Sequence, residues 1–363
     1  MNVKENNMEN EYVKFDPKEL EIKDYIGKDS PYLPPIPVYN SPITPRENFR
    51  RMVRGDHYLW LPHTLDINYL FPWCVPDSVA RGMVSCSTRF TPDMFGGKDM
   101  FGIEWEYVPQ VQGSMVRPGV PFCDDLDNWR DVMKVPDIDS WPWEECAKEA
   151  GNLADGRFVK VSLFTGFFER IISMIEMTDA LMAMIDEDYH EAIHGLCEFL
   201  VPIYDKIFAK YEEYFHPDCV WFHDDWGNQL APFFHAENLR DTIAPYMKQV
   251  VDSAHKHGMF FELHSCGKIE SLIPVMVECG IDMWNGQIMN DKVACAKKYG
   301  DRIVVDSYTP DIPHEADEAT VRKVLSEWLD QFGTARHYVG LNFGSHPLEY
   351  KVLYELSRKL YNP

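Results

Sequence analysis

The chain has 363 residues, of which 45% are hydrophobic and 26% are charged, a balance that excludes a disordered, collagen-like or coiled-coil protein. Its 35 basic and 58 acidic residues give a formal charge of −23, which repels nucleic acids and anionic membrane surfaces. The chain starts without a signal-peptide pattern, and no apolar run approaches the roughly 20 residues of a membrane span. We therefore expect a cytoplasmic protein that binds neither nucleic acid nor membrane, with most of its nine cysteines reduced.

Residues 1–42 contain acidic residues, lysines and a proline-rich stretch at 31–37, which predicts an extended N-terminal arm. A helix should follow, because Thr44 can cap its start, Pro45 suits the first helical position and Glu47 completes a capping box. This helix should end near Gly55. We predict that residues 43–363 form one domain.

The next part of the chain predicts two strands and a long irregular segment. Residues 58–63 and 101–107 are rich in residues that favour strands. Residues from about 70 to 150 show little regular patterning and include the Trp141-Pro142-Trp143 turn. We interpret this segment as an insertion that covers part of the fold.

From residue 157 onward, short strand-like runs alternate with long amphipathic segments, a pattern typical of β/α units and a parallel sheet. The predicted strands are 157–164, 219–225, 259–265, 281–286, 302–307 and 337–343. Together with the two earlier strands, they give about eight, the number in an α/β TIM barrel. An open doubly wound sheet is the alternative, but no Gly-x-Gly-x-x-Gly motif follows an early strand.

The strand at 219–225 ends in the polar residues His223, Asp224 and Asp225. In a TIM barrel, chemistry gathers at the carboxyl ends of the strands. Neighbouring carboxylates raise each other's pKa, so one of the two aspartates could serve as an acid. The alternative is structural: the pair caps the following loop and binds a basic side chain.

The next strand end, at 259–265, carries potential metal ligands. Alternation along a strand sends Glu262, His264 and Cys266 to one face. Imidazole and thiolate groups at this spacing can bind one zinc ion at about 2.0 to 2.3 Å. A His-x-Cys pair supplies only two ligands, however, and such pairs are often simply buried.

Several segments together resemble a known superfamily. They are Thr44 to Gly55, Asp124 to Pro136, Asp224-Asp225-Trp226-Gly227 and His264-Ser265-Cys266-Gly267. Through them the chain resembles the uroporphyrinogen decarboxylase superfamily, and within it the cobalamin-dependent methyltransferases, including the methyltransferase component of aromatic O-demethylases.

The resemblance implies a TIM barrel that moves a methyl group between a small substrate and a corrinoid protein. Members that methylate thiols hold zinc with a histidine, a cysteine and a second cysteine near the last strand. His264 and Cys266 match the first two ligands, but residues 339–346 contain no cysteine. Glu262, Asp225 or His346 would then complete the site, and a site with fewer thiolates is better suited to polarising oxygen.

We therefore hypothesise a methyltransferase that demethylates an aromatic methyl ether and passes the methyl group to cob(I)alamin on a corrinoid protein. His223, Asp224 or Asp225 would supply or orient a proton, and His264 and Cys266, with Glu262 as a candidate third ligand, would hold zinc. The alternatives are a zinc-dependent methylcobalamin:thiol methyltransferase, a uroporphyrinogen decarboxylase-like enzyme and a non-catalytic corrinoid-binding partner. The sequence leaves the number of associated chains open, a homodimer included.

Overall fold

The computed structural model describes residues 13–27, 35–85, 90–110, 113–341 and 345–363. The strands of the described residues are β1 (Ile22–Ile26), β2 (Ile36–Tyr39), β3 (Ile67–Leu70), β4 (Gly96–Lys98), β5 (Glu104–Val108), β6 (Gly113–Val116), β7 (Phe158–Leu163), β8 (Cys219–His223), β9 (Phe260–Ser265), β10 (Met283–Gly286), β11 (Val304–Ser307) and β12 (His337–Val339).

The α-helices are α1 (Pro45–Arg54), α2 (Pro76–Ala80), α3 (Trp129–Val132), α4 (Trp143–Ala150), α5 (Phe167–Ile175), α6 (Met177–Ala183), α7 (His190–Phe215), α8 (Ala236–Asp241), α9 (Ala244–Lys256), α10 (Ile273–Glu278), α11 (Lys292–Tyr299), α12 (Glu318–Phe332) and α13 (Glu349–Tyr361). None of these helices combines the length and the apolar character needed to cross a membrane.

A curled parallel sheet forms the centre of the molecule, with the strand order β12-β11-β10-β9-β8-β7-β3. A parallel bridge between His63 and Val339 joins the segment just before β3 to β12, so the two ends of the sheet meet. A short 3₁₀ turn at Thr64–Asp66 separates that bridge from β3. The predicted strand at 58–63 is therefore wrong except for the bridge at His63, because β3 takes the first position in the sheet. The predicted TIM-barrel architecture is confirmed.

The central strands are buried on both faces, which explains their nearly continuous apolar sequences. All six residues of β7 are buried, and so are all five of β8. Strands of this kind occur where helices cover one face of a parallel sheet and side chains fill the barrel interior. The polar side chains of β7, β8 and β9 therefore need partners inside the barrel or at its mouth.

The predicted barrel strand at 101–107 is wrong in its placement. Glu104–Val108 pairs with β4 and β6 in a separate antiparallel sheet. Its Glu104-Trp105-Glu106 run alternates between exposed and buried positions, because this small sheet covers the protein with one face and meets solvent with the other. The strand thus belongs to the predicted insertion and leaves the barrel sheet with seven strands.

Buried ion pairs attach the insertion to the barrel. Arg170 on α5 pairs with Asp77 and Asp99, and all three side chains are fully buried. Both aspartates also accept hydrogen bonds from insertion backbone, Asp77 from Met100 and Asp99 from Ile103. The insertion is therefore held against α5 at the mouth of the barrel.

The arm predicted for residues 1–42 lies partly outside the described residues. Its described part contains the antiparallel pair β1–β2, and Glu19 binds Arg358 of the last helix at 2.7 Å. Thr44 caps α1 as predicted, because its side chain accepts a hydrogen bond from the Glu47 amide. The predicted capping box is not completed, since the Glu47 carboxylate binds Arg51 at 2.8 Å. Gly55 ends this helix in the left-handed conformation with φ 79°, which glycine adopts without strain.

Candidate active site

The ends of β8 and β9 lie side by side at the barrel mouth. The strands pair in parallel, with His223 opposite His264. Just beyond them, the Cys266 amide donates a hydrogen bond of 2.7 Å to Oδ1 of Asp225. The structure therefore brings together Asp225, His264 and Cys266, three of the site residues predicted from sequence.

Asp225, His264 and Cys266 form a group with the dimensions of a metal site, which we call the metal group. One potential ligand atom from each lies within 4.8 Å of the other two. Nε2 of His264 is 3.6 Å from Sγ of Cys266 and 4.0 Å from Oδ1 of Asp225. A tetrahedral zinc ion with ordinary bond lengths separates a nitrogen ligand and a sulfur ligand by about 3.6 Å. The donor set fits zinc.

The metal group is accessible, which distinguishes it from a closed structural site. The side chains of His264 and Asp225 are 23% and 31% exposed. Structural zinc sites usually have four protein ligands, whereas catalytic sites have three and leave one position for water or substrate. Within the described part of the chain, this is the only group of three His, Cys, Asp or Glu residues with suitable geometry.

A chain of hydrogen bonds fixes the orientation of His264. Nδ2 of Asn285 donates to Asp306 at 2.8 Å, so its Oδ1 faces Nδ1 of His264 at 2.6 Å. Since that oxygen can only accept, Nδ1 carries the proton and Nε2 has a free lone pair. Asp306 is in turn paired with Lys292. Sequence analysis missed these residues, although Asn285 and Asp306 lie at the ends of predicted strands.

The Cys266 thiol needs a cation if it is to act as a ligand. Burial and, next, the negative charge of Asp225 raise its pKa above the usual value. The thiolate is the form that binds metals. Metal binding should therefore release a proton from Cys266.

Asp224 is turned away from this group and anchors the start of α5. Its carboxylate accepts hydrogen bonds from the backbone amides of Phe168 and Glu169 and from the indole of Trp226. The backbone passes so close here that a Cβ atom on Gly166 would lie 2.5 Å from that of Asp224. Burial and the nearby Glu169 raise its pKa to about 7, against the effect of these hydrogen bonds. Asp224 therefore has a structural position, but it binds the first turn of the preceding helix α5, and none of its hydrogen bonds in the described residues is to the basic side chain expected from the sequence.

His223 packs beside the metal group. Its ring lies 4.8 Å from that of His264 and 4.3 Å from that of Phe164. Burial lowers its pKa well below the usual value, so the ring is neutral at physiological pH. Its Nε2 atom has no hydrogen-bond partner among the described residues.

Glu262 lies one layer deeper in the barrel and is not part of the metal group. One of its oxygens is 2.6 Å from Nζ of Lys160, and the other accepts a hydrogen bond of 2.6 Å from Tyr338. All three residues are buried. Because both carboxylate oxygens are engaged, Glu262 does not supply the expected third ligand. His346 also lies outside the group, and its Nδ1 accepts from the Leu348 amide.

A cavity of about 420 Å³ adjoins the metal group, and Asp225 lines it. The insertion, α5, the start of α6 and the segment after β8 form its walls. Its larger apolar side chains are Trp105, Met115, Val116, Pro118, Ile172, Met177 and Phe233. The volume and the aromatic walls suit a small aromatic molecule.

The polar wall of this cavity contains a pair that sequence analysis missed. Arg81 binds Oε1 of Glu169 at 2.9 Å and stacks over the ring of Trp105. Oε2 of Glu169 is buried without a hydrogen-bond partner among the described residues. Burial raises the pKa of Glu169; Arg81 opposes this effect and Asp225 adds to it. No sequence motif marked either residue, since Arg81 lies in the irregular insertion and Glu169 inside an amphipathic helix.

Comparison with solved structures shows the same fold in a methyltransferase from Methanosarcina mazei. The TM-score is 0.60 at 13% sequence identity, and the alignment covers 87% of this chain and 98% of that protein. A sugar phosphate isomerase/epimerase from Parabacteroides distasonis also matches, with a TM-score of 0.31, 9% identity and coverage of 61% and 76%. No curated protein matches the sequence.

The family model for uroporphyrinogen decarboxylase (URO-D) matches residues 91–348. This range includes most of the insertion, both strand ends of the metal group and all strands of the barrel sheet except β3 and the segment before it. The chain therefore belongs to the uroporphyrinogen decarboxylase family.

Proposed function

We propose that this protein is a methyltransferase that demethylates an aromatic methyl ether and transfers the methyl group to cob(I)alamin on a corrinoid protein. One observation carries the proposal: Asp225 belongs both to the metal group and to the wall of the aromatic-lined cavity. A substrate in the cavity can therefore place its ether oxygen beside the metal group. The fold shared with a methyltransferase from Methanosarcina mazei supports the same reading.

In the reaction, cobalt attacks the methyl carbon, the carbon–oxygen bond breaks, and its electron pair remains on the aryl oxygen. That oxygen must be stabilised, because a phenolate leaves more easily when it is protonated or bound to a Lewis acid. A zinc ion held by Asp225, His264 and Cys266 would polarise the oxygen. Glu169 rests as the ion-pair partner of Arg81, and its unbonded Oε2 atom and raised pKa suit it to take up a proton and pass it to the departing oxygen.

Other residues of the chain hold these groups in place. Asp224 fixes the first turn of α5 and with it the backbone of Glu169. The Arg81 guanidinium orients the other oxygen of Glu169. Asn285 sets the tautomer of His264. The proposed roles are thus a ligand role for Asp225, a proton-donating role for Glu169 and positioning roles for Asp224 and Asn285.

The cavity favours a methyl ether over the decarboxylase substrate and over a thiol. Uroporphyrinogen carries several carboxylates, whereas Arg81 is the one cationic side chain among the described lining residues, and Glu169 already binds it. The metal group would offer one sulfur ligand beside a nitrogen and an oxygen ligand. Such a donor set is harder than a two-thiolate site and is better suited to polarising oxygen.

The proposal can be tested by incubating the purified protein anaerobically with cob(I)alamin and a panel of methoxyphenols, with and without a chelator. We expect methylcobalamin and free phenol in equal amounts, and loss of transfer with the chelator. Asp225→Asn should abolish transfer, whereas the matched control Asp252→Asn, at an exposed position on α9, should not change it. Failure of every methyl ether to react, or methylation of a thiol by methylcobalamin in its place, would contradict the proposal.

A further inference from the structure

The charges around the cavity point to the kind of methyl ether that it accepts. Among the described lining residues, three carry carboxylates, Glu169, Glu176 and Asp225, and one carries a guanidinium, Arg81. The apolar walls carry no charge with which to distinguish a neutral ring substituent from a charged one. Among the described lining residues, these four side chains are therefore the ones that can distinguish substrates of different charge.

Arg81 already has a carboxylate partner in Glu169, so its positive charge is neutralised before a substrate enters. Its guanidinium is 2.9 Å from Glu169 and lies 4.8 Å from the centre of the Trp105 ring. The Arg81 side chain is only 19% exposed and that of Glu169 only 8%. A substrate carboxylate would have to share this guanidinium with Glu169 or displace Glu169, and displacement would leave a buried carboxylate without its counter-ion.

Metal binding does not reverse the charge of the cavity. A bound Zn²⁺ ion would be balanced by the carboxylate of Asp225 and the thiolate of Cys266, and Arg81 is balanced by Glu169. Glu176 remains as an unbalanced negative charge in the wall. A negatively charged substrate would meet this charge in a partly desolvated space, where electrostatic repulsion is stronger than in water.

Glu176 is held firmly in that wall. It joins α5 to α6 with φ 73°, a conformation that non-glycine residues adopt only when the surrounding structure imposes it. Its amide donates to the Ile172 carbonyl, and its carboxylate accepts from the Gly119 amide of the insertion. Contacts on both sides of the cavity thus fix the position of this charge.

From this arrangement we infer that the cavity selects uncharged methoxyphenols and rejects methoxybenzoates, with Glu176 as the residue that discriminates between them. The inference rests on the proposed function and specifies its substrate class. The aromatic ring would pack against Trp105 and Phe233, with the methoxy oxygen directed to Asp225. A carboxylate on the ring would add a second negative charge close to Glu176.

Binding can be measured without cobalamin by calorimetry, with 2-methoxyphenol and 4-hydroxy-3-methoxybenzoate as probes. We expect the uncharged probe to bind at least about tenfold more tightly, and Glu176→Gln to narrow this ratio by about threefold to tenfold. The glutamine can still accept the hydrogen bond from Gly119, which preserves the fold. The matched control Glu237→Gln, at an exposed position on α8, should leave the ratio unchanged.

Methyl transfer to cob(I)alamin from the same two compounds completes the test. Faster transfer from 2-methoxyphenol, with a smaller preference in Glu176→Gln, supports the inference. If the benzoate binds equally well or reacts equally fast, the inference is overturned while the proposed function stands. If neither compound binds or reacts, the inference and the proposed demethylation of methoxyphenols both fail.

Discussion

Strand β9 contributes one polar side chain to each of two layers of the barrel, Glu262 to the lower layer and His264 to the upper layer. The lower layer is structural, whereas the upper layer is suited to chemistry. Glu262 and His264 lie two residues apart on β9 and point to the same side. Glu262 is completely buried, and both its oxygens are bound by Lys160 and Tyr338. His264 is partly exposed, has one nitrogen fixed by Asn285 and directs the other toward Cys266.

The comparison shows that saturation of hydrogen bonds, and not residue type, distinguishes the two layers. A carboxylate with every lone pair engaged in a dry interior has no capacity left for a ligand, and it stabilises the fold only while its partners are present. A histidine with one fixed nitrogen and one free nitrogen at a cavity is ready to bind a metal. The upper layer should therefore affect chemistry when it is changed, and the lower layer should affect stability.

The largest effect should follow from loss of a ligand in the upper layer. In His264→Ala, tight zinc binding should disappear and methyl transfer should fall by more than about 100-fold. Mutation of a residue that only hydrogen-bonds to a metal ligand already lowers metal affinity about 10- to 100-fold, so loss of the ligand itself should cost more. Metal analysis after dialysis, together with the transfer assay, measures both quantities. A His264→Ala protein that retains one zinc per chain would show that another set of residues binds the metal.

In the lower layer, Glu262→Gln should lower the free energy of unfolding by about 3 to 5 kcal/mol, because it leaves the Lys160 ammonium buried and unpaired. Urea denaturation measures this change. The folded protein should still bind one zinc. Adding Lys160→Met should recover part of the lost stability, and loss of zinc from a folded Glu262→Gln protein would contradict the separation of the two layers.

A change at Glu169, on α5 beside the metal group, tests whether its unbonded carboxylate oxygen passes on a proton. Glu169→Gln should slow demethylation by about 100-fold, the lower end of the range for general acid catalysis. The loss should be smaller for an ether of a nitrophenol, whose oxygen leaves without protonation. An equal loss for both ethers would point to a structural role for Glu169.

Asp224, which binds the first turn of α5, should make the free energy of unfolding depend on pH. The Asp224 carboxyl has a pKa of about 7 in the folded protein, against 3.8 for an unperturbed group, so the folded state holds its proton to higher pH than the unfolded state. Its contribution to stability should therefore fall as the pH rises from about 4 to about 7, and then level off. Asp224→Asn should remove this fall. Parallel unfolding-energy curves for the two proteins over this range would contradict the assignment.

The smallest effect should come from the residue that orients His264. Asn285→Ala should weaken zinc binding by about 10- to 100-fold without unfolding the protein. Asn285→Asp, which can still accept a hydrogen bond from Nδ1, should lose less affinity. Competition with a chelator measures both variants, and equal zinc affinity in the wild type and Asn285→Ala would show that the hydrogen bond does not position the ligand.

The sequence predicted much of the architecture because its signals are local. Burial on both faces makes β7 and β8 apolar throughout, and Thr44, Pro45 and Glu47 mark the start of α1 within four residues. The strand at 101–107 was assigned to the wrong sheet, because propensity indicates a strand but does not identify its neighbour. Pairing partners depend on how the whole insertion folds.

The sequence also indicated the two strand ends from which the metal group is built, since a parallel barrel brings consecutive strand ends to one rim. It could not separate Glu262 from the metal group, because the partners of Glu262 come from strands about 100 residues earlier and 76 residues later. Nor could it reveal Arg81, Glu169 or Glu176, whose importance comes only from the cavity they share.

By itself, then, the amino-acid sequence determined the barrel, the strand ends at which chemistry is expected and the candidate ligands His264 and Cys266, because periodicity and spacing act over short stretches of chain. The tertiary structure decided that Asp225 joins them, that Asp224 caps a helix and that Glu169 faces a cavity. These outcomes depend on which side chains from distant segments satisfy one another's charges and hydrogen bonds, and that is settled only when the chain is folded.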